Sequence, residues 1–242
     1  MDRPSLPPGL LVYAIGDIHG RTDLLADLLS SIAADAGLAR SERRSLIFLG
    51  DYIDRGPDGR GVIDILASGL PAGFETHFLK GNHEDLLLRF LDDIGELPVW
   101  LANGAAATFR SYGVDVTDLH GRRASPEEWQ EALRDALPET HRAFFESLRP
   151  SMTVGDYFFV HAGVRPGVPL EAQDQQDLVW IREPFLSSES EFGKMVVHGH
   201  TPGAIPVIRK NRIGIDTAAV FSNRLTALRL ENESRSFLHN ED

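Results

Sequence analysis

The sequence contains no cysteine, so it can form neither disulfide bonds nor thiolate–metal bonds. Any metal ion must therefore be held by oxygen and imidazole ligands, a set that suits Mn, Mg, Fe or Zn. Cations are also few, because 24 Lys and Arg residues stand against 36 Asp and Glu residues and the formal net charge is −12. This balance argues against a broad surface for nucleic acid or anionic membrane, but it allows a local phosphate site.

Long apolar runs are lacking as well. No stretch approaches the about 20 apolar residues that a membrane-spanning helix needs. Residues 1–9 contain three prolines and one arginine but no apolar segment of the signal-peptide kind. With 242 residues and an apolar content of 42%, we expect one soluble cytoplasmic domain with a substantial core. The sequence does not indicate an oligomeric state.

The first part of the chain repeats a unit of strand, polar motif and helix. Short apolar runs with the residue types of buried strands occupy residues 10–15, 45–49 and 76–79. Apolar residues at helical spacing follow them over residues 22–36, 59–68 and 86–91. These units predict an α/β fold in which the motifs lie at the carboxyl ends of strands, where open sheets bind ligands.

The rest of the chain has a different character. Between about residues 95 and 150 we predict a helical insert beside the site, in which Ser125-Pro126-Glu127-Glu128 is a typical helix start. Short strands and hairpin turns follow, and residues from about 231 to 242 are predicted to form a polar tail. Together the two halves predict two face-to-face mixed β-sheets flanked by helices.

Five polar motifs follow predicted strands. They are Gly16-Asp17-Ile18-His19-Gly20, the stretch from Gly50 to Gly56, Gly81-Asn82-His83-Glu84, His161-Ala162-Gly163 and Gly199-His200-Thr201. Their carboxylates, amide oxygen and imidazoles are the inventory of a dinuclear site for divalent ions. Asp17 and His19 are two residues apart and so share one side of an extended segment. Asp51 is central in the strand order, and its two oxygens suit a bridge between two ions.

Several of these residues also have structural interpretations. An aspartate after a strand often caps the next helix, but capping does not explain His161 and His200 at strand ends. Arg55 alone would be read as a surface salt-bridge partner. We expect His198 to be a buried or supporting histidine rather than a ligand. Asp216 either supports a metal ligand or forms a turn.

In their order along the chain, these motifs resemble those of the calcineurin-like metallophosphoesterases, over about residues 11 to 230. The Asp54-Arg55 pair resembles more narrowly the phosphoprotein phosphatase branch, which includes serine/threonine protein phosphatases and symmetrical diadenosine tetraphosphate hydrolases. The resemblance implies the four-layer sandwich of that family, with two sheets between outer helices. It also implies a bacterial-type metal-dependent phosphatase.

The resemblance further implies a ligand set and roles for the other residues. The first ion would be bound by Asp17, His19 and Asp51, and the second by Asp51, Asn82, His161 and His200. The two divalent ions, Mn in the first place with Fe, Zn or Mg as alternatives, would share the attacking hydroxide. The catalytic set comprises His83 as general acid, Asp54 to orient it, and Arg55 and Arg182 to bind phosphate oxygens.

For the substrate, the resemblance implies a phosphomonoester, in the first place phosphoserine or phosphothreonine on proteins. A symmetrical dinucleoside polyphosphate hydrolase is the alternative enzyme. An inactive metal-binding interaction module is the alternative from another class, and it is disfavoured because a scaffold does not need His83, Asp54 and Arg55. The expected partner is thus a phosphoprotein or a small phosphorylated molecule, with no nucleic acid and no membrane.

Overall fold

Two five-stranded sheets lie at the centre of the computed structural model, which describes residues 3–115 and 125–240. The strands in chain order are β1 (Leu10–Ile15), β2 (Arg43–Phe48), β3 (Glu75–Phe78), β4 (Ser151–Val154), β5 (Tyr157–Val160), β6 (Met195–His198), β7 (Val207–Ile208), β8 (Arg212–Gly214), β9 (Thr226–Glu231) and β10 (Ser234–His239). The first sheet has the order β10-β9-β1-β2-β3 and the second β4-β5-β6-β8-β7. Each contains parallel and antiparallel pairs, so the prediction of two mixed sheets is confirmed.

Both faces of β1 are buried, which is why its sequence is apolar at every position rather than alternating. Leu11, Tyr13 and Ile15 belong to the core between the first sheet and its helices. Val12 and Ala14 belong instead to the core between the two sheets. Successive side chains of a strand point to opposite faces, so one short strand contributes to two apolar layers.

The helices in chain order are α1 (Thr22–Leu38), α2 (Gly59–Ser68), α3 (Asn82–Asp92), α4 (Leu97–Ala102), α5 (Ala105–Ser111), α6 (Pro126–Ala136), α7 (Glu139–Glu146), α8 (Gln175–Trp180) and α9 (Ala219–Ser222). The α1 residues predicted from their spacing to face the core are all buried: Leu24, Leu25, Leu28, Leu29 and Ile32. Asp58 begins α2 by accepting a hydrogen bond from the Gly61 amide at 2.8 Å. No described helix is long and apolar enough to span a membrane.

Helices α4 to α7 occupy the described part of the segment predicted as a helical insert, while residues 116–124 lie outside the described residues. The predicted start of α6 is confirmed, because Ser125 and Glu128 each accept a hydrogen bond from the other's backbone amide. Trp100 of α4 and Phe109 of α5 pack on Phe90 of α3, with ring centroids 5.2 and 5.8 Å away. These contacts anchor the first two insert helices beside the helix that carries Asn82 and His83.

The C-terminal segment differs from the predicted polar tail. Ser234–His239 form β10, which pairs with β9 so that Phe237 lies opposite Leu228. Phe237 packs on the core between the sheets, and Leu238 packs on the helix-side core. A strand at the edge of a sheet has one hydrogen-bonded neighbour and needs only a few apolar residues that face the core. The sequence of β10 is therefore mostly polar and lacks the apolar pattern that predicts a strand.

Candidate dinuclear metal centre

The five motifs meet at the carboxyl ends of strands from both sheets. His161 Nε2 lies 3.0 Å from Asn82 Oδ1 and 3.3 Å from Asp51 Oδ1. His19 Nε2 lies 3.5 Å from the other Asp51 oxygen, and His200 Nδ1 lies 3.0 Å from Asn82 Oδ1. Residues as distant in the chain as His19 and His200 thus present ligand atoms to one small volume.

Potential ligand atoms form two groups, within each of which they lie within 4.8 Å of one another. One group consists of His19, Asp51 and His83, and the other of Asp51, His161 and His200. Asp51 is common to both groups, as the predicted bridging role requires. His83 joins the first group by proximity, although the predicted role for it is general acid.

The tautomers of His19 and His161 suit metal binding. His19 Nδ1 lies 2.9 Å from the Ile53 carbonyl oxygen and His161 Nδ1 lies 3.0 Å from that of Leu49. A carbonyl oxygen only accepts hydrogen bonds, so each Nδ1 carries the proton and each Nε2 keeps its lone pair. Burial also lowers the pKa of both imidazoles well below the usual range and favours the neutral form that binds metal.

The buried carboxylates fit a site for cations. Burial, followed by the nearby charges of Asp216 and Asp51, raises the pKa of Asp17 well above its usual value. Burial and the charge of Glu84 do the same for the pKa of Asp51. Bound cations would relieve both effects. Asp17 lies outside the two ligand groups, and its carboxylate accepts hydrogen bonds from the His200 amide at 3.0 and 3.2 Å.

His83 and Asp54 form a fully buried pair beside the ligand groups. His83 Nδ1 lies 2.6 Å from Asp54 Oδ2, which also accepts a hydrogen bond from Trp100 Nε1 at 2.7 Å. Thr108 donates its hydroxyl to the other Asp54 oxygen. His83 Nε2, by contrast, is buried without a hydrogen-bond partner among the described residues and lies 3.7 Å from Asp51. One edge of the imidazole is therefore held by Asp54, and the other faces Asp51.

The Asp54 carboxylate is fully buried. Burial raises the pKa of Asp54 to about 7, although the hydrogen bonds from Thr108 and Trp100 oppose this rise. As an ionised acceptor, Asp54 keeps the proton of His83 on Nδ1. This contact fixes the orientation of the His83 ring.

Two exposed arginines lie at the edge of the cluster. Arg55 NH1 lies 2.8 Å from His19 Nε2, and Arg182 NH2 donates to the His200 carbonyl oxygen at 3.4 Å. Their planar guanidinium groups match the oxygens of a phosphate. The structure thus brings all ten predicted site residues to one end of the sandwich, while their individual roles stay predictions.

The loops that carry the site have an unusual backbone. His19, Asp51, Asp54, Arg55 and His200 all have φ between 47° and 68°, in the left-handed region that residues with a Cβ rarely adopt. Such conformations each cost roughly 1–3 kcal/mol and persist where surrounding contacts impose them. Because these residues lie in three loops that carry predicted ligands, we infer that the folded state accepts a loss of stability in return for the orientation of these side chains.

Glu84 has a structural role that was not predicted from the motifs. Its buried carboxylate accepts hydrogen bonds from the amides of Asp51, Tyr52 and Gly81 at 2.8 to 3.0 Å, so it ties the Asp51 loop to the start of α3. The sequence does contain a signal for these contacts. Glu84 stands three residues after Gly81, which directly precedes α3, and this is the spacing of a capping box. Trp100 and Thr108 were missed as well, and no local signal in the sequence marks them as partners of Asp54.

His198 lies outside both ligand groups, as predicted. It is buried, its Nδ1 donates to the Gly199 carbonyl oxygen at 3.0 Å, and its ring packs on Phe185 at 5.0 Å between centroids. Asp216 approaches Asp17 and also accepts a hydrogen bond from the Ala218 amide at 2.8 Å. Both interpretations of Asp216, support of a ligand and formation of a turn, therefore describe real contacts.

Known proteins are similar in sequence to this chain over most of their length. A family model described as calcineurin-like phosphoesterase matches residues 10–219. An asymmetrical bis(5'-nucleosyl)-tetraphosphatase PrpE of Bacillus velezensis is 28% identical over 92% of this chain and 90% of its own. The protein of the same name from Bacillus subtilis is 27% identical over 89% of this chain and 88% of its own.

Solved structures show the same fold. A candidate diadenosine tetraphosphatase superposes with a TM-score of 0.67 and 20% identity, over 99% of both chains. A protein serine/threonine phosphatase from Saccharomyces cerevisiae superposes with a TM-score of 0.56 and 14% identity, over 99% of this chain and 84% of its own. From the family match, this chain belongs to the calcineurin-like phosphoesterases, which are metal-dependent hydrolases.

Proposed function

We propose that this chain hydrolyses dinucleoside tetraphosphates asymmetrically, to a nucleoside triphosphate and a nucleoside monophosphate. The observation that carries metal-assisted hydrolysis at phosphorus is the pair of buried ligand groups that share Asp51, within each of which the ligand atoms lie within 4.8 Å of one another. The substrate class is supported by the curated relatives, which bear that name and match about nine-tenths of the chain. Phosphoproteins, which the sequence analysis put first, become the second candidate.

The residues divide into those that would hold metal and those that handle substrate. Asp17, His19 and Asp51 would hold one divalent ion, and Asp51, Asn82, His161 and His200 the other. Bound divalent ions would polarise phosphate oxygens and lower the pKa of water. Our first choice is Mn, because the mixed oxygen and nitrogen shell suits it, with Fe, Zn or Mg as alternatives.

Arg55 and Arg182 would bind the phosphate oxygens that do not react. Protonated His83 would give the Nε2 proton to the departing oxygen, while Asp54 holds the Nδ1 proton and the ring orientation. Burial of the pair excludes bulk water from this proton transfer.

The same pair favours alkyl phosphomonoesters, including phosphoserine and phosphothreonine on proteins, as a second substrate class. An alkoxide is a poor leaving group and needs the proton of a general acid. A nucleotide leaves through a phosphate oxygen whose own pKa is about 6, so it depends much less on protonation. General acid catalysis by the Asp54–His83 pair therefore accelerates the hydrolysis of an ester more than that of an anhydride.

A product analysis separates these functions. Purified protein with Mn²⁺ is incubated with diadenosine tetraphosphate, a phosphoserine peptide or p-nitrophenyl phosphate, and nucleotides are resolved by anion exchange. We expect equimolar ATP and AMP from the first substrate, faster than phosphate from the second. ADP alone would show symmetrical cleavage, and faster release of peptide phosphate would put the second candidate first.

The controls identify the source of the activity. Activity should disappear on treatment with EDTA and in the Asp51→Asn variant purified in parallel. A panel of Mn, Mg, Zn and Fe then ranks the metals. If metal-loaded protein hydrolysed none of the three substrates, the interaction-module alternative would replace both enzymatic proposals.

A further inference from the structure

A second concave site lies at the end of the sandwich opposite the candidate metal centre. It is a cavity of about 590 Å³ whose polar lining includes Arg3, Asp156, Lys194, Arg209, Lys210 and Arg235. Asp156 and Lys194 come just before β5 and β6, whereas His161 and His200 follow the same strands. The four residues of β6, at a rise of about 3.3 Å each, place the two sites on opposite ends of the sheet.

The charge of this cavity is opposite to that of the whole chain. Five cationic side chains line it, together with the carboxylates of Asp156 and Glu191. The cations come from four separate segments: the N-terminal segment, the start of β6, the turn between β7 and β8, and β10. In a chain with a net charge of −12, such a gathering of like charges costs free energy through repulsion.

Within the described part of the chain, three of the five cations have no counter-charge in contact. Lys194 lies 3.4 Å from Asp156, and Lys210 lies 2.9 Å from Glu189. Arg3, Arg209 and Arg235 form no ion pair with any residue of the described ranges 3–115 and 125–240. Among the described residues, the lining thus offers three guanidinium groups without an ion pair, each with donors arranged to match phosphate oxygens.

We propose that this cavity binds the phosphate chain of a nucleoside di- or triphosphate. Its volume falls within the roughly 300–1,000 Å³ typical of small-molecule sites. A chain of two or three phosphates offers more oxygens over a greater length than a single phosphate, which suits guanidinium groups that come from separate segments. Pro4, Phe192 and Met195 add apolar lining that is suited to the nucleoside. The site lies apart from the catalytic residues, and the inference does not rest on the proposed substrate.

Binding is tested with EDTA-treated protein by isothermal titration calorimetry with ATP, ADP, AMP and pyrophosphate. We expect one site, affinity that rises from AMP through ADP to ATP, and weaker binding as salt increases from 50 to 500 mM because exposed charges are screened. Pyrophosphate should bind about as well as ADP. Equal affinity for AMP and ATP, or binding of ADP without pyrophosphate, would overturn recognition of the phosphate chain.

Paired variants locate the site. Arg209→Gln/Arg235→Gln should weaken ATP binding at least about tenfold, the size expected when charge-assisted hydrogen bonds are lost. Arg40→Gln/Arg110→Gln removes two exposed charges elsewhere and should leave affinity within about twofold. Arg55→Ala/Arg182→Ala should also retain binding, whereas its loss there would assign the nucleotide to the metal centre. Absence of saturable binding to the wild-type protein would refute the proposal.

Catalytic activity provides an independent check that the Arg209→Gln/Arg235→Gln variant is folded. The Arg209→Gln/Arg235→Gln variant should keep the wild-type melting temperature and the wild-type rate on p-nitrophenyl phosphate, because neither arginine contacts the candidate metal centre. A variant with unchanged rate and lost ATP binding places the nucleotide in the basic cavity. Unchanged ATP binding in this variant would contradict the assignment.

Discussion

Glu84 Oε2 accepts a hydrogen bond from the backbone amide of Asp51 at 2.9 Å. Through this contact, a residue of the first turn of α3 holds the loop that presents the shared carboxylate of the two ligand groups. The same carboxylate binds the amides of Tyr52 and Gly81, so it spans the two loops that carry Asp51 and Asn82. The geometry of the metal centre therefore depends on a residue that offers no atom to it.

We expect Glu84→Gln to reduce stability by roughly 2–4 kcal/mol, because it places an amide donor against backbone donors and removes charge-assisted hydrogen bonds. Metal affinity should fall with it, since the Asp51 loop loses its anchor. Chemical denaturation measures the first effect and metal analysis after dialysis the second. Glu131→Gln, an exposed change on α6, serves as control. Wild-type stability of Glu84→Gln would contradict the anchoring role.

Gly50→Ala should be far more harmful than Gly73→Ala. Both glycines have positive φ, 104° and 87°, so both changes introduce backbone strain. A Cβ on Gly50 would lie 2.5 Å from the Gly81 backbone nitrogen, whereas one on Gly73 meets no atom within 4 Å. We expect about 1 kcal/mol of destabilisation for Gly73→Ala and several times that for Gly50→Ala, in urea unfolding. Equal losses of stability in the two variants would mean that the loops of Gly50 and Gly81 do not approach each other so closely.

Asp51→Asn should deplete both metal positions together. The amide keeps the size of the side chain but lacks the charge and the second anionic oxygen that two ions would share. We expect the purified variant to contain much less metal than the wild type after dialysis, by elemental analysis, and to be inactive. Asp27→Asn, on the exposed face of α1, should keep its metal. A fully loaded and active Asp51→Asn protein would be incompatible with the bridging role.

His83→Asn should affect the two substrate classes differently. We expect turnover of a phosphoserine peptide to fall by roughly 10²–10⁴ and that of diadenosine tetraphosphate to fall much less, because only the alkoxide needs a general acid. Steady-state rates with metal-saturated protein give the comparison. Metal content should be retained, and His77→Asn on β3 controls for the loss of a histidine elsewhere. An equal loss on both substrates would show that His83 does not act on the leaving group.

Much of the metal centre was predictable from the sequence because its residues stand in short motifs after apolar strands. Asp17 and His19, for example, are fixed in relation to each other by a local spacing and a neighbouring glycine. The partners of Asp54 were not predictable, since Trp100 and Thr108 lie 46 and 54 residues away and come from helices with ordinary apolar sequences. Strand β10 was missed because an edge position tolerates a polar sequence.

The sequence by itself determined the ligand chemistry, oxygen and nitrogen without thiolate, and the order in which strands deliver the motifs. These properties are local, so they survive without knowledge of the packing. Only the tertiary structure decided which edge of His83 is free, how Glu84 anchors the Asp51 loop, and where Arg3, Arg209 and Arg235 gather. The reason is physical: such contacts join segments distant in the chain, and they exist only once two sheets and their helices have packed together.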